Sequence, residues 1–158
     1  FLRHTGPTIS PFNAWVLLKG METFKLRVEA QSASAAMIAE ALASINSVER
    51  VYYPHHDSHP QVKLARKQMK MGGTMVSFDV GGGKDRSVNV LRHLGIIDIS
   101  NNLGDAKSLI THPATTTHKN IGPEARKVMG ITDGTLRLSV GLEDTDDLMA
   151  DLKQAIGR

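Results

Sequence analysis

Among the residues of this chain whose chemistry could be put to use, Arg137 stands in the most informative setting. The segment TLRLSVG reads as a strand, so Leu136, Leu138 and Val140 share one face and Thr135, Arg137 and Ser139 the other. If the apolar face packs on covering helices, the guanidinium points towards solvent or a partner domain. Held on a strand, it is suited to grip a carboxylate through two parallel N–H donors. A plain surface arginine in a surface ion pair has the same pattern, and such arginines are common. Upstream, NNLGDAKSLITHPATTTHKN is rich in Asn, Thr, His and Gly, which is the composition of a site-lining loop or simply of a surface loop.

The other candidates carry less. His112 and His118, and the group His55, His56, Asp57 and His59, lack a recognised ligand spacing and are flanked by Pro, so no metal is expected. Gly81 to Lys84 spell GGGK without the spacing of a phosphate-binding loop, and a tight turn is expected there. No Ser, His and Asp arrangement has the surroundings of a nucleophile motif. Met69, Met71 and Met75 are expected to fill the core, and Lys107 reads as a solvated lysine.

Elements must hold Arg137 in place, and the pattern supplies them. Ser10 can cap a helix that opens with Pro11, where a missing N–H costs nothing. Gly20 is expected to kink or break it, after which Met21, Phe24, Leu26 and Val28, then Ala35, Met37, Ile38, Ala41 and Leu42, continue an apolar stripe. Val48, Val51 and Tyr53 suggest a short strand closed by Pro54; QVKLARKQM a helix; TMVSFDV a strand with Val76, Phe78 and Val80 on one side. DRSVNVLRHL reads as a helix, IIDIS as a strand, SLITHP as a further short strand or extended segment and GPEARKVMG as a small helix. After TLRLSVG, DTDDLMADLKQAI is a closing helix with acids in its first turn, where they favour the helix dipole. The sum is an α/β domain of the α+β kind: about four strands in a mixed or largely antiparallel sheet, helices on one face and a long leading helix. Residues 1–46 are expected to be a linking helical segment and residues 47–158 the domain proper.

Composition agrees with one globular domain. At 158 residues with 41% hydrophobic and 22% charged residues, disordered and fibrous classes are excluded. The pI of about 9.3 overstates a formal charge of only +3, and the charges are interspersed; the densest basic stretch, Lys63 to Lys70, reads as a solvated helix face, so no nucleic-acid partner is expected. The absence of cysteine excludes disulfides and thiolate metal sites and is compatible with a reducing cytosol. No apolar run is long enough to cross a bilayer, so no membrane partner is expected. Phe1 in place of Met and the absence of a secretory pattern in FLRHTGPTIS suggest a piece whose beginning lies upstream.

SPFNAW with LKGMETFKLR, then VERVYYP with SHP, GGTMVSFDV, NLGDAKSLITHPATTTH and GTLRLSVGLEDTDDL occur in that order across nearly the whole chain. Together they resemble the second half of the pyridoxal-phosphate-dependent enzymes of cysteine and methionine metabolism. The resemblance implies the smaller carboxy-terminal domain of a fold-type-I transferase, in which a large amino-terminal domain holds the cofactor. It also implies that Arg137 binds the substrate α-carboxylate. Other members often carry a serine just before the LG of the preceding loop, touching the same carboxylate; Asn102 stands there in this sequence. The loop is most similar to that of the homoserine sulfhydrylases. That branch replaces the γ-substituent of O-succinylhomoserine or O-acetylhomoserine with sulfide; a cystathionine γ-synthase, a γ-lyase or a non-catalytic module of the same fold are the alternatives. The resemblance places the cofactor-binding lysine, the aromatic that stacks on the cofactor ring and the phosphate cup before Phe1, leaves no catalytic residue in this chain, and implies a tetrameric enzyme.

Overall fold

The structure is a computed structural model that describes residues 6 and 8–158. The opening of the segment expected to link, Phe1–Thr5 with Pro7, lies outside the described residues. Helix α1 spans Pro11–Glu22 and opens as its sequence dictates, with Ser10 Oγ accepting from the Asn13 N–H at 3.2 Å and Pro11 in the first turn. It runs through Gly20 and stops at Thr23, three residues beyond the expected kink or break. A single helical glycine costs only about 1 kcal/mol, too little to end a helix by itself. Helix α2 follows over Phe24–Ala43.

The apolar stripe divides unevenly between these two helices. Met21, Phe24, Leu26 and Met37 are exposed, and α1 buries nothing. Burial starts at Gln31 and continues through Ser32, Ala35, Ile38, Ala39 and Leu42, because only this part of α2 lies over the sheet.

The sheet has five strands, one more than expected: β1 Val48–Tyr52, β2 Met75–Val80, β3 Asp98–Ile99, β4 Leu109–Thr111 and β5 Thr135–Ser139. Their order is β1-β2-β5-β4-β3, antiparallel except for the β3–β4 pair. The addition is three-residue β4, inside the SLITHP stretch, where so few residues read equally as a short strand or an extended segment. Three more helices join by short connections: α3 Val62–Gln68, α4 Gly83–His93 and α5 Gly122–Val128. Helix α6, Thr145–Ile156, closes the chain, with Asp144 Oδ1 accepting from the Asp146 and Asp147 N–H groups.

Helices α2, α4 and α6 cover one face of the sheet. Between the two layers lie Val76, Phe78 and Val80 of β2, with Leu136, Leu138 and Val140, packed on Ile38, Val90, Leu148 and Leu152. Met69, Met71 and Met75 take no part; Met69 is exposed and the other two are half-buried, since the chain around them runs along the edge of the layer. Helix α3 buries nothing, so its lysines are solvated as expected. Among the described residues no helix is long and apolar enough to cross a membrane.

Asp151 of α6 is buried and acts as a clamp. Its carboxylate accepts from the N–H groups of Gly95 at 2.8 Å, Ile96 at 2.9 Å and Ile97 at 3.2 Å, and from the Gln154 amide at 3.1 Å. Burial alone would raise its pKa, but the four donors outweigh it and hold the carboxyl below its ordinary value. A depressed folded-state pKa adds stability that is present above the unfolded value, about 3.9, and is lost as pH falls through the folded one. Asp151→Asn is therefore expected to cost about 1–3 kcal/mol in chemical denaturation at pH 7. The gap between variant and parent should narrow below about pH 4; a gap that stays constant with pH would contradict this.

Candidate functional site

The face of the sheet turned away from α2, α4 and α6 is polar. Register places Tyr52 opposite Ser77, Ser77 opposite Arg137 and Arg137 opposite Thr111, so four side chains line up across β1, β2, β5 and β4. One row over, Asp79 faces Thr135. The expected division of β5 holds for Leu136, Leu138 and Val140, which are fully buried. Thr135 and Ser139 are buried as well, because the chain after β4 folds over part of this second face, and only Arg137 is left half-open.

Arg137 lines a cavity of about 230 Å³ together with Tyr52, Ser77, His118, Met129 and Ile131. Its Nη2 donates to the backbone carbonyl of Asn101 at 2.9 Å. Among the described residues, no carboxylate lies within ion-pairing distance of it. That disfavours the plain ion-pair reading: four of the five guanidinium N–H groups are left for another acceptor. The Asn101 carbonyl fixes the plane in which they point.

The polar groups around the cavity are tied to one another. Tyr52 donates to Asp79 Oδ2 at 2.9 Å, and Asp79 Oδ1 also accepts from Thr135 and from Thr132, the latter at 3.2 Å. Burial, then the bond to Asp79 and its charge, push the Tyr52 phenol above its ordinary range against the opposing Arg50. It is therefore a neutral donor at pH 7, tying Asp79 rather than competing for an anion.

The loop between β3 and β4, residues 100–108, carries Asn102. Residues 101–107 are all exposed, and 101–106 form, with Arg27 of α2, one wall of an open depression of about 690 Å³. The Asn102 N–H donates to Ser100 Oγ at 3.2 Å and its side chain is exposed. Asn101 joins the two features: its carbonyl meets Arg137, and its Oδ1 accepts from Thr111 Oγ1 at 2.8 Å. Arg137 and the Asn102 loop thus meet in space. Asn101, Thr111, Ser77, Tyr52 and Asp79 escape a sequence reading; alternation puts Ser77 and Asp79 on the right face but names no partner for them.

The histidines are placed otherwise. His112 is buried with Nδ1 2.9 Å from Thr115 Oγ1 and Nε2 2.9 Å from the Asp133 carbonyl, so both nitrogens are engaged in packing. His118 reaches the Arg137 cavity, with Nδ1 2.8 Å from Thr117 Oγ1. His56 pairs with Ser58, and His59 Nδ1 accepts from the Gln61 N–H. Among the described residues no three His, Asp or Glu side chains gather as a metal would require. Gly82 and Gly83, both at positive φ, make the GGGK segment the tight turn into α4.

Comparison with known proteins adds the following. The family model described as Cys/Met metabolism PLP-dependent enzyme matches residues 1–157. O-succinylhomoserine sulfhydrylase of Mycobacterium tuberculosis is 57% identical over 98% of this chain, and that of Pseudomonas aeruginosa 50% over 99%. L-methionine gamma-lyase of Fusobacterium nucleatum is 41% identical over 96%. The structure of cystathionine gamma synthase from Xanthomonas oryzae pv. oryzae, solved with aminoacrylate and cysteine, superposes with a TM-score of 0.90 at 38% identity and covers 98% of this chain. The chain spans 39% of the length of the two sulfhydrylases and 40% of the synthase.

Proposed function

Because this chain belongs to the family of PLP-dependent enzymes of Cys/Met metabolism, we propose that it is the substrate-side, carboxy-terminal domain of a homoserine sulfhydrylase. The carrying observation is Arg137: half-buried, oriented by the Asn101 carbonyl, without an acid partner among the described residues and open to a cavity. In this reading its remaining N–H groups bind the α-carboxylate of an amino-acid substrate, and Asn102 offers a second contact from the loop. The identity to sulfhydrylases, well above that to the γ-lyase, supports the branch. The intact enzyme would exchange succinate or acetate at Cγ of the acylated homoserine for sulfide, giving homocysteine.

Pyridoxal phosphate supplies the electron sink for such chemistry when bound. The residues of this chain do not make a site for it. All ten lysines are solvent-exposed, whereas a lysine that reacts with a carbonyl needs a desolvated or otherwise lowered pKa. The catalytic groups are therefore assigned to the cofactor domain and none to this chain. What this chain does is bind and orient: anchoring the carboxylate leaves Cα and Cγ of the substrate directed away from the sheet, towards the cofactor domain.

A cofactor domain preceding residues 1–46, and a second subunit in a tetramer, are the partners this reading needs. Phe12, Trp15, Leu17, Leu18 and Met21 of α1, each more than half exposed, support such a cover, since a patch of that size is seldom left to water. A cytosolic setting is in keeping with a chain free of cysteine.

The test is an assay of the full-length polypeptide on O-succinylhomoserine, with sulfide and cysteine as competing nucleophiles. Sulfide is expected to be preferred, and the 158-residue chain alone should show neither turnover nor cofactor absorbance. Preference for cysteine would move the assignment to a cystathionine γ-synthase, and elimination without a nucleophile to a γ-lyase. A yellow, borohydride-sensitive 158-residue chain would overturn the division of labour.

A further inference from the structure

Arg137 is the first of four alternate positions that all reach the same loop. Ser139 Oγ accepts from the Gly104 N–H at 2.9 Å. The Gly141 N–H donates to Ser108 Oγ at 2.8 Å. Glu143 takes Ser108 with both oxygens, Oε1 from the N–H at 2.6 Å and Oε2 from the hydroxyl at 2.8 Å. Between them the Leu142 N–H donates to the Ala106 carbonyl at 2.7 Å, and from the helix layer Gln31 Nε2 donates to the Asp105 carbonyl at 2.7 Å. Ser108 and Ser139 are almost completely buried, where an unmade hydrogen bond is costly.

Gly141 shows how close the approach is. A Cβ there would lie 2.3 Å from Glu143 Oε2, 2.4 Å from the Ser108 nitrogen and 2.5 Å from the Ala106 carbonyl oxygen, so only glycine fits. The loop gains nothing for the core in return, because residues 101–107 are exposed. Polar groups, Ser139 buried and Glu143 half-buried among them, grip an exposed loop at Gly104, Ala106 and Ser108, and the other end of that loop presents the Asn101 carbonyl to Arg137 and the side chain of Asn102 to solvent.

We propose that Ser139, Gly141 and Glu143 are positioning residues of the carboxylate site, acting through the 101–108 loop that they hold against Arg137. The inference rests on the carboxylate reading of Arg137 given above. One strand and its continuation thereby carry both the ligand arginine and the device that aims it: Ser139 sets the tip of the loop, and Glu143 with Gly141 sets its base. Neither Ser139 nor Glu143 touches the substrate.

The test uses the full-length holoenzyme with the acylated homoserine and with its α-carboxamide analogue. Ser139→Ala and Glu143→Ala are expected to raise the KM of the carboxylate substrate roughly tenfold, as loss of a buried charge-assisted or well-aligned hydrogen bond would. Their kcat should stay within about twofold, the signature of lost binding rather than lost chemistry. Glu143→Gln should recover most of the KM, because its amide oxygen still accepts from the Ser108 N–H. The carboxamide analogue should be insensitive to all three, a result that general loosening of the fold would not give. Equal losses on both substrates, or unchanged KM in Ser139→Ala and Glu143→Ala beside a sensitive Arg137→Ala, would overturn this inference alone. Silent Arg137→Ala kinetics would overturn the carboxylate reading and this inference with it. If Glu143→Ala does not fold, Ser139→Ala and Glu143→Gln decide.

Discussion

Arg137→Ala, introduced into the full-length polypeptide, is expected to lower kcat/KM for the acylated homoserine by about 100-fold, or about 3 kcal/mol. The magnitude follows from the setting. A half-buried guanidinium with no competing acid loses little to screening, and truncation leaves the substrate carboxylate facing Ser77, Thr111 and Tyr52, none of which is cationic. Most of the loss should fall in KM. Arg137→Lys should recover only part of it, since an ammonium keeps the charge but neither the paired donors nor the bond that the Asn101 carbonyl accepts from Nη2 in its present plane. Stability in chemical denaturation should drop by about 1 kcal/mol or less, the worth of that single hydrogen bond. Unchanged kinetics would remove Arg137 from the site.

One residue further on, the expectation reverses. Leu138→Ala should destabilise the fold by about 2–5 kcal/mol, because Leu138 is fully buried in β5, between β2 and β4, with no room for the layers to collapse into the gap. Denaturant midpoints measured on the same polypeptide check this. At temperatures where the variant is still folded, its KM should match the parent's. A Leu138 variant that keeps its stability, or loses substrate affinity while folded, would break the division between the two faces of β5.

Much of the fold is legible without coordinates. Alternation marks Val76, Phe78 and Val80 and Leu136, Leu138 and Val140 as core, and the Ser10 cap and the acids opening DTDDLMADLKQAI mark two helix starts, because each signal is made within a few neighbouring residues. Where the reading failed, the deciding contact was distant. Met75 looks as apolar as Val76, yet only Val76 meets the helix layer. Phe24 and Leu26 continue a stripe whose sheet ends before they reach it. Strand β4 is fixed as a strand only by pairing with β5 and β3, and because the β3–β4 pair is parallel and joined through residues 100–108, the intervening chain doubles back as a loop.

The sequence by itself determined the family and which face of β5 bears Arg137, since side-chain direction along a strand is a local property of the backbone. Only the tertiary structure decided what that guanidinium faces: Ser77 and Thr111 on either side, the Asn101 carbonyl in front, and no carboxylate among the described residues. The backbone hydrogen bonds that set strand register are alike for every residue type, so the partners of Arg137 are chosen by how whole layers pack. The same packing turns SVGLE from a weak motif into a row of tethers for a loop that precedes it by more than thirty residues, as the Ser139–Gly104 and Glu143–Ser108 separations of 35 residues record.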